Sequence, residues 1–235
     1  PAPPALTEVD SGTFTVSVQG SPVARETFRI EQGPGNSITH SELRLAGNTG
    51  KPNQTATLQL TATGELIRYD WENPEGHSTV SVEPKDEFIV ETLAYPYAQA
   101  DKSNKTNVIQ RQQALPHMLP RATPVMDDNF FSHREVLLWR YMASQCGKKN
   151  AADSGVTCSF EKQTYGVLVP NQHEGSTVTI EYVGQAATTV NAQPRIADEF
   201  AMVVDEMPWK IFIDPKSMKV MRMEIPSQGT VITRD

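Results

Sequence analysis

Apolar and polar residues alternate along several short segments of the chain, and this alternation is the strongest constraint on its fold. Near the start, Phe14, Val16 and Val18 alternate with polar neighbours. The same pattern recurs at residues 56–60, 67–71, 78–82, 178–182, 209–213 and 221–225. Since successive side chains of a strand point to opposite faces, each segment predicts a β-strand with one covered face and one solvated face. Turn-forming clusters separate the strands at short intervals, which predicts antiparallel meanders.

Residues 127–144 break the alternation and predict the longest helix of the protein. Asp127 or Asp128 is placed to cap its N-terminus. Its apolar residues, which cover most of the circumference, are Phe130, Phe131, Leu137, Leu138, Trp139, Tyr141 and Met142. A helix that is apolar nearly all round is a buried helix. We therefore expect it in the hollow of a curved sheet, with Leu137, Leu138 and Tyr141 facing the strands.

The sequence indicates one domain over residues 12–235, preceded by a flexible segment at 1–11. Residues 98–124 are polar and then rich in proline, and we expect a surface connection there with a short helix near 107–115. Residues 64–69 resemble residues 218–223, since in both a turn leads into a strand with Arg at the same place. Two meanders joined by a helix explain this similarity, and so does chance likeness between amphipathic strands.

Composition restricts the class of partner. The chain has 21 Lys and Arg residues against 28 Asp and Glu residues, a formal net charge of −7. This balance argues against nucleic acid as a partner, because phosphate binding needs a cationic surface.

No segment approaches the roughly 18 uninterrupted apolar residues of a membrane span. The opening Pro1-Ala2-Pro3-Pro4 lacks Met, which is expected after removal of a signal peptide.

Cys146 and Cys158 are the two cysteines of the chain, twelve positions apart with a polar, glycine-containing segment between them. We predict a disulfide between them, and hence a periplasmic or extracellular location. Two independent reduced thiols are the alternative. Zinc is disfavoured because neither cysteine has a Cys or His at ligand spacing.

Signatures of catalysis and of cofactor binding are missing from the sequence. It has no nucleophile elbow, no phosphate-binding loop and no histidine pair at metal-ligand spacing, so no cofactor or metal is predicted. His133, near Asp127, and His173, beside Glu174, are the places where a histidine–carboxylate pair is conceivable. Structural roles are the alternative for both, and the sequence leans against an enzyme.

Bulky side chains on predicted strand and helix faces are the candidates for a ligand site. They are Tyr69, Trp71, Trp139, Trp209, Met221 and Met223. Methionines and aromatics tolerate irregular apolar contents and would suit an acyl chain in an internal cavity. Plain core packing is the alternative.

The chain resembles the secreted bacterial half-barrel proteins of the lipoprotein-carrier type (LolA, LolB and the mycobacterial LppX group) and related uncharacterised periplasmic domains. Residues 63–71 and 210–225 carry the resemblance, each with an acidic turn before a strand that contains Arg. It implies a mainly β fold, in which a half-barrel of two antiparallel meanders wraps around one central α-helix and leaves a cavity for a lipid or lipidated molecule. An Arg closes the cavity in LolA-type carriers, and no Arg of this chain is assigned that role.

Three functions follow as hypotheses, and the oligomeric state is not predicted. The first is a secreted or periplasmic binding protein for an apolar ligand. The second is a cell-envelope module that displays a sheet surface to another protein. The third is a hydrolase that uses His133 or His173 with a carboxylate.

Overall fold

A computed structural model describes residues 5–100, 106–148 and 156–235 of the chain. The strands of the first meander are β1 (Thr7–Val18), β2 (Ser21–Gln32), β3 (Asn36–Leu45), β4 (Gln54–Thr61), β5 (Leu66–Asn73), β6 (Ser78–Lys85), β7 (Phe88–Ala100) and β8 (Thr106–His117). After them come the helix α1 (Phe131–Gln145) and the short strands β9 (Cys146–Lys148) and β10 (Val156–Cys158). The second meander comprises β11 (Gln163–Val169), β12 (Glu174–Val190), β13 (Gln193–Val204), β14 (Met207–Ile213), β15 (Val220–Ile225) and β16 (Thr230–Arg234), with a 3₁₀ turn at Pro226–Gln228.

The two meanders form one curved, open antiparallel sheet of fourteen strands. Within each meander, strands that follow one another in the chain are neighbours in the sheet. The meanders are joined where β16 pairs with β1, for example at Val16 opposite Ile232, which leaves β11 and β8 at the two edges. The mainly β fold built from two meanders is confirmed.

The alternation of the sequence becomes alternating burial in the sheet. In β4, Ala56, Leu58 and Leu60 are buried, while the residues between them are half-buried. Buried residues of β1, β2 and β11–β16 form one core with Leu137, Leu138 and Tyr141 of α1. Buried residues of β3–β7 form a second core, which α1 reaches through Val136. A helix that touches strands from both halves lies inside the curve of the sheet, as predicted.

A buried ionic cluster fixes the place where β16 joins β1. Arg234 of β16 donates hydrogen bonds to Asp10 of β1 at 2.6 Å and to Glu135 of α1 at 3.2 Å. Lys219 also contacts the Asp10 carboxylate at 2.6 Å. Both carboxylates are fully buried, and burial raises the pKa of Glu135 to about 8. The cluster therefore ties both meanders to the helix.

The N-terminus of α1 differs from the prediction. The helix begins at Phe131, and neither Asp127 nor Asp128 caps it. Glu26 of β2 takes that role: its Oε2 accepts the Phe131 N–H at 2.6 Å, and its Oε1 accepts the Ser132 hydroxyl at 2.6 Å. The first turn of a helix leaves N–H groups unpaired, and here a buried carboxylate of the sheet satisfies them.

Two other predicted boundaries are wrong. Residues 107–115 form strand rather than helix, because they pair with β7. In this hairpin the pairing runs from Ile89 opposite His117 to Ala100 opposite Thr106. Backbone pairing in a hairpin does not require an apolar face, so the polar composition of this segment concealed it. The sheet also starts at Thr7, which pairs with Gln32, so residues 7–11 belong to β1. Residues 1–4 of the predicted flexible segment lie outside the described part.

Cys146 and Cys158 form the predicted disulfide at the C-terminal end of α1. We expect thiol titration of the denatured, unreduced protein to detect no free thiol, and titration after reduction to detect both. Replacing both cysteines with serine should lower the free energy of unfolding by about 3 kcal/mol, because the unfolded chain gains loop entropy. Two reactive thiols before reduction would contradict the bridge.

No helix within the described residues is long and apolar enough to cross a membrane.

Candidate functional site

A cleft of about 470 Å³ separates one face of α1 from strands β2–β4. We call it the helix cleft, and its main lining residues are Ile30, Leu58, Leu60, Val125, Val136 and Leu137. These side chains come from both cores, so the cleft lies where the two cores meet. The turn between β4 and β5, with Ala62, Thr63 and Gly64, forms part of its rim. The interior is therefore mainly apolar and the rim is mixed.

One face of α1 supplies the polar residues of the helix cleft. His133, Arg140 and Ser144 line it, and their spacing of seven and four residues places them on one side of a helix. His133 is buried, whereas Ser144 is exposed, so the cleft runs from a closed end at the start of α1 towards solvent at its end. Arg140 lies between them and donates to the Gly64 carbonyl at 2.9 Å.

His133 holds the closed end of the helix cleft. Its Nδ1 accepts the backbone N–H of Asp127 at 3.2 Å. Its ring stands edge-on to Tyr69, with 5.8 Å between the ring centroids. Burial, with the neighbouring Arg134 charge, lowers the pKa of His133 to about 3, so the imidazole is neutral at physiological pH. Its Nε2 has no hydrogen-bond partner among the described residues.

Tyr69 and Asp127 fix the segment that leads into α1. The Tyr69 hydroxyl donates to the Asp127 carboxylate, which also accepts the Asn129 N–H at 2.8 Å. Burial raises the pKa of Asp127 above its usual range. Burial and the nearby Asp127 carboxylate raise the pKa of Tyr69 well above its ordinary value. The Tyr69–Asp127 pair holds the Asp127 backbone in place. Because the N–H of this backbone donates to His133 Nδ1, the pair also fixes the orientation of the His133 ring at the closed end.

A second cavity, of about 310 Å³, lies between strands β5–β7 and the turn between β11 and β12. We call it the edge pocket; Trp71, Leu93 and His173 are among its lining residues. Next to it, the fully buried Glu91 contacts His117 Nε2 at 2.9 Å and His173 Nδ1 at 2.8 Å. The carboxylate that pairs with His173 is therefore Glu91, and this contact links the two ends of the open sheet.

The structure distributes the six candidate ligand residues over several places. Trp139 lines the helix cleft and donates its Nε1–H to the Met218 carbonyl at 2.7 Å. Trp71 lines the edge pocket, and Met221 lines a surface pocket near the end of β16. Tyr69, Trp209 and Met223 are buried in the two cores. The cleft thus brings Trp139 together with aliphatic residues that sequence reasoning did not select.

Sequence reasoning missed the aliphatic lining of the cleft, and it singled out His133 as a possible partner of a carboxylate rather than as a lining residue. Leu58 and Leu60 lie on the predicted covered face of a strand, but the alternation does not show whether a helix or a space covers them. Where the chain is described, no group of three or more His, Cys, Asp or Glu has the geometry of a metal site. Among the described residues, no carboxylate contacts the ring nitrogens of His133.

Comparison with family models gave no match, and comparison with curated proteins gave none either. Among solved structures, the chain is similar to a beta-barrel-like protein from Brucella abortus that represents a domain of unknown function, DUF1849. The two chains are 8% identical, the match covers 99% of this chain and 97% of the other, and the TM-score is 0.41. A match at this level carries no conclusion about function.

Proposed function

We propose that the protein binds an apolar ligand, a lipid or a lipidated molecule, in the helix cleft. The observation that carries the proposal is a mainly apolar cleft of about 470 Å³ that opens to solvent along α1. Small-molecule sites are typically concave, mostly apolar and about 300–1,000 Å³ in volume, with a few placed polar groups. His133 and Arg140 are such groups here.

The framework around the cleft also favours a binding role. One wall is the sheet, through Leu58 and Leu60 of β4, and the other is α1. The carboxylate of Glu26 holds the start of this helix against β2, and Arg140 holds its second half against the turn between β4 and β5. A cleft between two elements fixed in this way is largely pre-formed, which reduces the ordering cost of binding.

We place this activity in the periplasm or outside the cell. The Cys146–Cys158 disulfide supports this location, because such bridges persist in oxidising compartments. The half-barrel architecture with a central helix agrees with the resemblance to lipoprotein carriers. The cargo proposed on that basis is a lipid or the acyl part of a lipidated protein.

A fluorescent fatty-acid ester tests the proposal, because its emission changes on entering an apolar site. We expect the wild type to bind it, and Ala143→Trp to weaken binding by about tenfold or more, because the indole would occupy the exposed mouth of the cleft. Trp139→Ala should also change the affinity. Ala187→Trp, on an exposed position of β12 outside the cleft, is the matched control and should bind as the wild type does.

Two results together would contradict the proposal. They are no binding of acyl probes by the wild type and no lipid extracted from the purified protein. The module that displays a sheet surface to another protein would then be the better hypothesis. Equal weakening by Ala143→Trp and Ala187→Trp would place the binding outside the helix cleft.

A further inference from the structure

We infer that the ligand of the helix cleft carries a neutral hydrogen-bond acceptor, such as the carbonyl of an acyl ester or amide, and that the Nε2–H of His133 binds it at the closed end. This inference rests on the proposed function and adds the chemical class of the ligand. It also gives the direction of entry, with the carbonyl inside and the exit along α1 towards Ser144.

The protonation state of His133 follows from its contacts. Its Nδ1 accepts the Asp127 N–H, so Nδ1 carries no proton. In a neutral imidazole the single proton then lies on the other nitrogen, and Nε2 is a donor. The two nitrogens point away from each other across the ring, so a donor faces away from the Asp127 backbone. His133 lines the cleft, and within the described ranges this donor is unpaired.

An unpaired donor at this depth is available to a ligand atom that enters the cleft. His133 is 1% exposed, and buried polar groups in proteins are nearly always hydrogen-bonded. The cleft residues of the closed end that are fully or almost fully buried, Leu58, Leu60 and Val125, have apolar side chains and offer no side-chain acceptor. A purely hydrocarbon ligand would leave the donor unpaired, whereas a ligand with an oxygen acceptor would satisfy it.

The charges around the closed end favour a neutral acceptor over a carboxylate. The imidazole is neutral, so it gives a buried anion no counter-charge. Arg134 is paired with Asp128 at 2.8 Å and lies over the Trp209 ring. Of the described residues that line the cleft, Arg140 is the one cation. It stands seven positions further along α1, about 10 Å away along the axis at 1.5 Å per residue.

Three probes of similar size test this inference by displacing a neutral hydrophobic dye: methyl octanoate, octanoate and nonane. Two variants separate the functions of the ring. Asn in His133→Asn retains an acceptor near the Nδ1 position and removes the distal donor, whereas Gln in His133→Gln places a donor near the Nε2 position. Both variants lose the ring, so packing effects alone would change them alike.

We expect His133→Asn to weaken the binding of methyl octanoate about tenfold more than it weakens the binding of nonane. His133→Gln should bind the ester within about threefold of the wild type. Comparing each probe across variants removes differences in probe hydrophobicity. In the wild type, the His133 side-chain ¹H–¹⁵N spectrum should show the Nε2-protonated tautomer, shifted by the ester and unchanged by nonane. This spectrum needs no variant to fold.

Several outcomes would overturn the inference. Equal losses for ester and nonane would show that the ring acts by packing, and an Nδ1-protonated tautomer would remove the donor. If octanoate alone depends on His133, the bound group is a carboxylate. In these cases binding in the cleft stands. If none of the three probes displaces the dye from the folded wild type, the proposed function fails together with the inference.

Discussion

Replacing Glu26 with alanine is expected to lower the free energy of unfolding by about 4 kcal/mol. The change leaves the N–H groups of Phe131 and Ser132 without their acceptor at a fully buried helix end, while the Ser132 hydroxyl keeps its contact with the Ser41 hydroxyl at 2.8 Å. Each buried donor left unpaired costs about 1–3 kcal/mol. For a chain of this size, a loss of this magnitude corresponds to a melting temperature lower by about 10 °C, which calorimetry would measure.

Glu42→Ala is the matched control. Glu42 lies on the neighbouring strand β3 with its side chain 51% exposed and next to Arg44. A substitution at an exposed position of this kind changes stability by less than about 0.5 kcal/mol. Equal melting temperatures for Glu26→Ala and Glu42→Ala would show that the carboxylate does not cap the helix.

Glu26 also makes stability depend on pH in a defined direction. Burial raises the pKa of its carboxyl from 4.5 to about 7. Between these values the folded chain keeps a proton that the unfolded chain has released, so unfolding releases a proton. This contribution to stability is complete below the unfolded pKa and is lost as the pH rises through the folded one. In urea titrations, the unfolding free energy of the wild type should therefore fall relative to that of Glu26→Gln as the pH rises across this window.

Leu138→Asp is expected to prevent stable folding at ordinary temperature, with a cost of about 5 kcal/mol or more. Leu138 is fully buried in the core between α1 and the sheet. The change removes a large apolar side chain and places a carboxylate among apolar neighbours, so cavity and desolvation costs add. The total free energy of unfolding of a typical domain is only about 5–15 kcal/mol. Circular dichroism and a denaturant titration would measure the loss.

Ala143→Asp tests whether a carboxylate on this helix is harmful by itself. Ala143 lies one and a half turns further along α1 and is exposed. A negative charge near the C-terminus of a helix costs only about 0.3–1 kcal/mol. A Leu138→Asp variant that melts together with the wild type would mean that the helix is not buried.

The sheet was predictable because its signal is local. Strands such as β4 alternate strictly, and Leu137, Leu138 and Tyr141 of α1 are buried as their residue type indicates. Residue type did not indicate the burial of Arg134 and Glu135 at the start of the same helix. The start of α1 was not predictable, since its cap, Glu26, precedes Phe131 by 105 positions. Strand β8 was missed for a related reason, because its pairing partner β7 rather than its own composition determines its conformation.

The ligand site was harder to predict because alternation identifies a covered face and does not identify what covers it. Met221 and Met223 illustrate this, since they lie two positions apart yet reach different surroundings. Trp139 lines the cleft, while Trp209 packs under Arg134, with the guanidinium 4.2 Å from the ring centroid. The donor of His133 depends on a hydrogen bond to the Asp127 backbone, which residue type alone does not reveal.

The pairing of β1 with β16 determines when this protein can finish folding. A side-chain hydrogen bond at this seam, from Thr15 to Asp235, spans 220 positions, and Arg234 of the last strand joins Asp10 to Glu135. Until β16 has been made, the strands of the two meanders cannot pair with each other. Contacts between such distant residues form slowly. A nascent chain of this connectivity therefore cannot complete its sheet until β16 has been synthesised and pairs with β1.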